Sequence, residues 1–387
     1  MPHLKVKPFD ISKIDINSSD TISFFAKADN SNDYLFGVNH LDEEFLLQLK
    51  LDKDSYLLKY DKVSRPLRVD IVKSALEIVS RELNLEILLS NITQKKVTPS
   101  SKYLKKIDEF EDISYPKDKV SVEVGFGSGR HILYQAQNNP DTLFIGLEIH
   151  TPSAQQLLKQ IELLGLDNIW VVNYDARLFL EMLPSNLCTQ IFVHFPVPWD
   201  KKPNRRVISD SFINESMRAL KKGATLELRT DSHKYFWYSL ERFFDVKYTQ
   251  VEIRKNKRLE VTSKYEDRWI RQNKDIYDVF VESLQESDKK DNIINFEFET
   301  TDYNFDIFDG DEFKKAFVGD DFFVHFERVY TIDDKTRLIK CAFGSFERPE
   351  HKYLLIEDNK CRYFVSPPVK TSVNLLAHNY ILAQFSK

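Results

Sequence analysis

The sequence predicts an α/β chain: a mostly parallel, seven-stranded sheet with an additional small α+β module at each end. Three observations carry this. Residues 119–285 alternate near-continuous apolar runs with amphipathic stretches, the pattern of parallel strands covered by helices on both faces. Residues 1–118 and 288–387 show short runs of period-two alternation, the pattern of antiparallel hairpins. Of only 10 glycines in 387 residues, three cluster at Gly125, Gly127 and Gly129, directly after the first apolar run of the central region. In a glycine-poor chain such a cluster marks backbone that takes unusual angles or approaches a ligand closely.

Taken in order, the runs ISFFAKA, YLFGV, FLLQLKL and SYLLKYD read as hairpin strands. A helix is expected around 66–83, with Val69, Val72, Leu76, Val79 and Leu83 on one face and Pro66 near its start. The Lys-rich stretch 95–118 reads as a helical linker. In the central region the strands are KVSVEVGFG, TLFIGLEI, NIWVVNY, TQIFVHF and ATLELRT. Helices follow near Arg130, over Pro152 to Leu164, near 177–183, from Asp210 to Leu220, and through Phe236 and Leu240. KYTQVEI and YDVFVES complete the seven strands. Beyond the polar linker ESDKKDN come the strands INFEFET, FFVHFERVY, RLIKCAF and KYLLIED–KCRYFVS, then a helix over 371–385. The expected boundaries are therefore 1–118, 119–287 and 288–387, with no internal repeat.

Composition removes several function classes. Hydrophobic residues are 42% and charged residues 30%, which is globular rather than disordered. A net charge of −5 excludes binding nucleic acid by bulk charge. Cys188, Cys341 and Cys361 form no C-x-x-C pair, which excludes zinc-ribbon and thioredoxin readings, and so low a count fits a reducing compartment. His131, His150 and His194 lack metal-ligand spacing, so no metal is expected. The opening MPHLKVKPFD has no apolar signal core and no 18-residue apolar run follows, so a cytoplasmic protein without a membrane partner is expected.

The chemistry concentrates at strand ends. Glu123-Val-Gly125-Phe-Gly127-Ser-Gly129 lies between strand and helix, where backbone amides meet a nucleotide-like ligand. Arg130 stands where a dinucleotide fingerprint needs its third glycine, so no pyrophosphate loop is present. An acidic residue two places before the first glycine suits a cofactor with a cationic amino-acid end and no phosphate, as in S-adenosylmethionine. A plain tight turn is the other reading. Glu148, 25 positions after Glu123, suits a pair of ribose hydroxyls, or is a solvated strand end. Asp175 suits an adenine amino group or caps the next helix. FPVPWDKKPNRR, residues 195–206, combines a stiff Pro–Trp turn with Lys201, Lys202, Arg205 and Arg206, and Asp231 ends the fifth strand. Five successive strand ends thus carry these marks, on the edge where open parallel sheets bind ligands.

Charge is uneven. Residues 197–274 hold 19 Lys and Arg against 11 Asp and Glu, about +8, whereas 282–321 hold 13 acids against 4 lysines, about −9. A local basic surface is what a nucleic-acid binder requires.

EVGFGSG, IGLEIH, NYDAR, FPVPWDKKPNRR, the RTD of 229–231 and TSKYEDRW of 262–269 together resemble the bacterial tRNA (guanine-N7)-methyltransferases that modify position 46 in the variable loop. The resemblance spans about 119–285. It implies a class I methyltransferase Rossmann-like sheet, with S-adenosylmethionine held by Glu123, Gly125, Gly127, Glu148 and Asp175. It further implies tRNA held by Lys201, Asp231, Thr262, Ser263, Tyr265 and Glu266. Two departures stand out. Val197 replaces the Asp usual between the two prolines, and Thr262 lies one place early in the usual T-x-[FY]-E, so Thr262 or Ser263 supplies the hydroxyl.

Methylation of guanine N7 tolerates Val197. The nitrogen carries an in-plane lone pair and no hydrogen, so no general base is obligatory. Alignment is the main requirement, and proximity can be worth roughly 7–11 kcal/mol. A carboxylate on the guanine N1–H and N2–H2 edge would align the base and favour its developing positive charge. Asp231 and Glu266 are the candidates for that catalytic role, and Lys201, Arg205 and Arg206 are candidates for phosphates. The alternative is a protein that binds S-adenosylmethionine and tRNA with another methyl acceptor or none.

Overall fold

The computed structural model describes the chain except residues 1, 65–67, 93–100, 291–293, 301–302, 304–307, 309, 311–312, 314 and 386–387, and gives only the backbone of Ser101, Lys264 and Tyr265. Two compact units result, one from residues 99–293 and one from 1–98 together with 294–387.

The chain opens with β1 (His3–Val6), β2 (Ile22–Ala28), β3 (Asp33–His40), β4 (Glu43–Asp52), β5 (Ser55–Tyr60), α1 (Val69–Glu82) and β6 (Ile87–Ser90). Alternation along β3 sends Tyr34, Phe36 and Val38 to one face, where they pack with Ile71, Val72, Ala75, Leu76 and Val79 of α1. Leu35 points to the opposite face and into a different core. The helix matches its expected span, although Pro66 lies outside the described residues.

The central unit contains β7 (Leu104–Lys105), β8 (Lys119–Val124), α2 (Arg130–Asn138), β9 (Thr142–Leu147), α3 (Thr151–Leu164), β10 (Ile169–Val172), α4 (Ala176–Met182) and β11 (Cys188–His194). It continues with α5 (Asp210–Ala219), β12 (Leu220–Thr230), α6 (His233–Phe244), β13 (Thr249–Lys255), α7 (Lys264–Arg271) and β14 (Tyr277–Ser283). The sheet order is β13-β14-β12-β11-β8-β9-β10-β7. β14 runs antiparallel to both neighbours and the other pairings are parallel. The seven expected strands are present, with β7 as an eighth. Chain order reverses at β8, whose neighbours are β9 and β11, so a crevice opens at the carboxyl end of β8.

The linker differs from expectation. Residues 101–118 form short turns and β7 rather than a long helix. Phe110 explains this: it is buried edge-on against Trp170 and Phe179, while β7 pairs with the outer strand β10 and covers its edge.

The chain ends with β15 (Phe317–Val318), β16 (Phe323–Asp333), β17 (Thr336–Gly344), β18 (Pro349–Glu357), β19 (Lys360–Phe364) and α8 (Ser372–Phe385). INFEFET forms no strand. Phe296 and Phe298 pack on His378 of α8, and His378 Nε2 donates to the Glu297 carbonyl, so side chains rather than a ladder hold this segment.

The expected boundaries at 118 and 287 also fall differently. β2 pairs antiparallel with β16, Ala28 opposite Tyr330 and Lys27 opposite Thr331, which joins both ends of the chain in one sheet of order β19-β18-β17-β16-β2-β3-β4-β5-β1-β6. About that joint the halves share a topology, each a four-stranded meander followed by a helix. Sequence shows no such repeat, because the shared feature is apolar alternation rather than residue identity.

This sheet is strongly curled. β19 and β4 lie six strand spacings apart, about 29 Å if flat. Yet Arg362 of β19 forms a bidentate pair with Glu44 of β4 at 2.9 and 3.1 Å. The halves enclose a shared core of Leu35 and Leu46 with Tyr330, Leu338, Tyr353 and Leu355, and the buried Tyr353 hydroxyl donates to Asp61 at 3.1 Å. Among the described residues no helix is long and apolar enough to cross a membrane. Leu46→Ala removes contacts from both halves, so it is expected to cost about 2–5 kcal/mol in urea unfolding. A cost under about 1 kcal/mol would mean that the halves do not share this core.

Candidate active site

Five loops at the carboxyl ends of β8, β9, β10, β11 and β12 converge on one cleft of about 660 Å³. Its wall includes Gly125 and Gly127, Glu148, Asp175, the turn from Phe195 to Trp199, Arg205, Asp231 and Trp269. A smaller annex of about 70 Å³ lies beside it, lined by Glu123, Gly125, Gly127, His131, His194, Ser263 and Glu266.

The glycine loop is shaped for a close ligand. Gly125 and Gly127 have φ of +69° and +54°, which side-chain-bearing residues rarely adopt. A Cβ on Gly125 would meet nothing within 4 Å, so the space above the loop is open. Glu148 is oriented by two backbone donors, Gly127 N–H to Oε2 at 3.1 Å and His150 N–H to Oε1 at 2.9 Å. Its remaining lone pairs are free to accept from a vicinal diol. Asp175 caps α4 through Arg177 N–H at 2.9 Å and also pairs with the Arg177 guanidinium at 2.7 Å, so capping and cleft placement coexist. Glu123 is 3% exposed and bonds His131 Nδ1 at 2.8 Å. Open backbone, an oriented Glu148 carboxylate and the buried Glu123 carboxylate fit S-adenosylmethionine.

The expected substrate residues divide. Asp231 faces the cleft and is paired with Lys274 at 2.9 Å, and Lys274 in turn lies 3.5 Å above the Trp269 ring. Arg205 is exposed and stacks 5.2 Å over Trp199. Lys201 is exposed. Arg206 differs from expectation. It is buried, its Nε donates to the Pro198 carbonyl at 2.7 Å, and it stacks over Tyr238. It fixes the turn instead of presenting charge to a phosphate.

Thr262 bonds Asp267, and Ser263 caps α7 by accepting from Glu266 N–H at 3.0 Å. The Tyr265 side chain lies outside the described residues. Glu266 is 2% exposed and bonds Arg229 at 2.5 Å. One of its faces reaches the annex, not the main cleft. Asp231 and Glu266 therefore do not share one wall. Val197 is 62% exposed and lines the cleft without polar chemistry. Phe195 and Trp199 flank the Pro196–Pro198 segment with φ of +50° and +45°, strain of the kind stored at functional sites, about 1–3 kcal/mol each.

Beneath the cleft runs a buried charged layer that sequence reasoning passed over. His194 bonds Glu227 at 3.0 Å, and its ring lies 4.5 Å from that of His131. Burial works to lower the His131 pKa, but Glu123, Glu227 and Glu266 outweigh it and raise it. Burial likewise pushes Glu227 up, yet His194, His131 and Arg229 hold it below its ordinary value. One signal was available, since His194 is the last residue before the Phe195–Trp199 turn. Trp269 and Lys274 carry no comparable mark in the sequence. Trp269 closes the TSKYEDRW run, but nothing in sequence aims it at Asp231.

Comparison with known proteins accords with this geometry. A family model described as "Putative methyltransferase" matches residues 117–279. A tRNA (guanine-N(7)-)-methyltransferase of Wolinella succinogenes is 41% identical over 348 residues, covering 88% of this chain and 87% of the relative. This chain belongs to the tRNA (guanine-N(7)-)-methyltransferase family. A member from Campylobacter fetus is 39% identical, covering 93% of each chain, and one from Helicobacter hepaticus is 36% identical, covering 92% and 91%. These members match well beyond residues 117–279, so the terminal unit belongs to this branch of the family.

The raised His131 pKa has a definite pH consequence. Folding favours the protonated ring, so its contribution is fully present below the ordinary value near 6.5 and lost as pH rises through the higher folded value. The stability advantage of the wild type over His131→Asn is expected to be full in acid and to shrink as pH rises above the ordinary imidazole value near 6.5 in thermal unfolding. A pH-independent difference would show that the pair carries no such linkage.

Proposed function

We propose that this chain transfers a methyl group from S-adenosylmethionine to N7 of guanine 46 in the tRNA variable loop. Family membership supports the reaction. The observation that supports its location is the convergence of the glycine loop, Glu148, Asp175, the Phe195–Trp199 turn and Asp231 on one cleft.

When bound, S-adenosylmethionine supplies a methyl group activated by its sulfonium. Gly125 and Gly127 offer backbone at close range, with the Glu123 carboxylate beside them for the cationic amino-acid end. Glu148, already oriented, accepts from the ribose hydroxyls, and Asp175 accepts from the adenine amino group. Asp231 accepts from the N1–H and N2–H2 edge of guanine, which aligns N7 and stabilises the positive charge the base gains. Lys274 and Trp269 hold Asp231 in place. Glu266 is a positioning residue: it ties α7 to Arg229 and closes the annex wall. Lys201 and Arg205 contact phosphates, giving register rather than base identity. Val197 takes no part in proton transfer, because none is required at N7.

The test is methyl transfer from labelled S-adenosylmethionine to unmodified tRNA, with N7-methylguanosine located by chain cleavage. A single modified guanine in the variable loop is expected. Cofactor binding without transfer would favour a tRNA-binding role instead. In the same assay Asp231→Asn is expected to lower kcat by about 10²-fold with cofactor affinity retained. Glu148→Ala is expected to weaken cofactor binding by about 10²- to 10⁴-fold, from two hydrogen bonds to a charged group at roughly 1.5–3 kcal/mol each. Undiminished turnover in Asp231→Asn would remove Asp231 from the reaction.

A further inference from the structure

The terminal unit encloses a second cavity of about 640 Å³ on the concave face of its curled sheet. Strands from both ends of the chain build it, from β1 and β5 on one side to β17 and β18 on the other. We propose that this cavity is an RNA-contacting site that takes a phosphodiester segment of the tRNA substrate. The proposal rests on the reading that the substrate is tRNA.

Charge is the first argument. Five lysines and arginines face the cavity against three carboxylates, in a chain whose net charge is −5. The basic character is therefore local. All three carboxylates are already engaged in the wall. Asp33 pairs with Arg328 and lies 3.9 Å from Lys50. Glu327 pairs with His351 at 3.5 Å and Lys340 at 3.0 Å, and these partners, His351 foremost, hold its pKa down to about 2 against the opposing effect of burial. Asp61 accepts from Val63 N–H, Ser64 N–H and the Tyr353 hydroxyl.

Lys59 and Lys62 are left over. Neither has an ion-pair partner among the described residues. Lys59 is half-buried on the inner face of β5, and Lys62 is exposed at the rim. A partly desolvated ammonium without an anion is costly, and an incoming phosphate removes that cost. A pair of phosphates along one strand would meet both.

Shape is the second argument. Beside the lysines the wall carries Leu57 and Val63, apolar surface on which a sugar or base can rest. A cavity of this size suits one nucleotide with its flanking phosphates better than a lone inorganic ion. Free nucleotides share the chemistry, so the experiment separates the two sources.

The test compares wild type with Lys59→Glu/Lys62→Glu, both residues lying outside the methyl-transfer cleft. Binding of unmodified tRNA is followed by fluorescence anisotropy at several salt concentrations, with no cofactor present. About tenfold weaker binding is expected, with a salt slope shallower by roughly 1–2. In turnover KM for tRNA rises while kcat and cofactor affinity stay unchanged. Lys59→Arg/Lys62→Arg is expected to restore binding. If the charge reversal fails to fold, Lys59→Gln/Lys62→Gln gives the same readout.

Unchanged tRNA affinity and salt slope in a folded variant would overturn the proposal. So would binding of adenosine monophosphate that needs both lysines while tRNA binding does not, since that outcome marks a free-nucleotide site. Binding is read without methyl transfer. A protein that grips tRNA through these lysines but never methylates guanine N7 would refute the reaction and leave the cavity's role intact.

Discussion

The cleft depends on one buried charge. Arg229, 1% exposed near the end of β12, pairs with Asp278 of β14 and Glu266 of α7, and donates to the Lys257 carbonyl at 2.9 Å. Its own carbonyl accepts from Phe195 N–H at 2.7 Å, and its guanidinium lies 5.9 Å from the Phe195 ring. One residue thereby fixes the last parallel strand, the reversed strand, α7 and the strained turn after β11. Burial works against the charge, and Glu266 and Asp278 outweigh it, raising the Arg229 pKa. Removing one partner from such a group costs about 3–5 kcal/mol, so the pairs tie these elements to one another. Asp231 sits two residues beyond Arg229, and its direction is inherited from that anchor.

The rest of the site follows from the same economy. A parallel sheet puts its carboxyl-end loops on one edge, and the chain reversal around β8 opens space there. Reaction at guanine N7 then asks little of acid–base chemistry and much of alignment. In the cleft wall Glu148 is held by two amides and Asp231 by Lys274, which lies over Trp269, with a valine between the two prolines. The terminal unit answers a different demand. Its curled sheet turns an apolar core inward and leaves a basic mouth, the surface proposed above to take RNA phosphates.

Much of this is legible in the sequence. Period and apolar content identify the strands of the parallel sheet, and the residues at their carboxyl ends identify the cleft, because both follow from local pattern. Long-range pairing is less legible. Nothing local in ISFFAKA and FERVY indicates that Ala28 faces Tyr330 across 302 residues. Arg206 and Glu266 read as substrate ligands because a charge in a motif does not reveal its own burial. Arg206 is spent on the Pro198 carbonyl and Glu266 on Arg229. INFEFET alternates like a strand, yet its phenylalanines find α8 before its backbone finds a ladder. His131 and His194 are 63 residues apart and meet only because β8 and β11 are neighbours.

The most direct measurement is a crystal structure of the full chain with S-adenosylhomocysteine. The ligand is expected in the central cleft, its amino-acid end over Gly125 and Gly127, both ribose hydroxyls on Glu148 and the adenine beside Asp175. A ligand bound elsewhere, or a ribose that ignores Glu148, would contradict that placement.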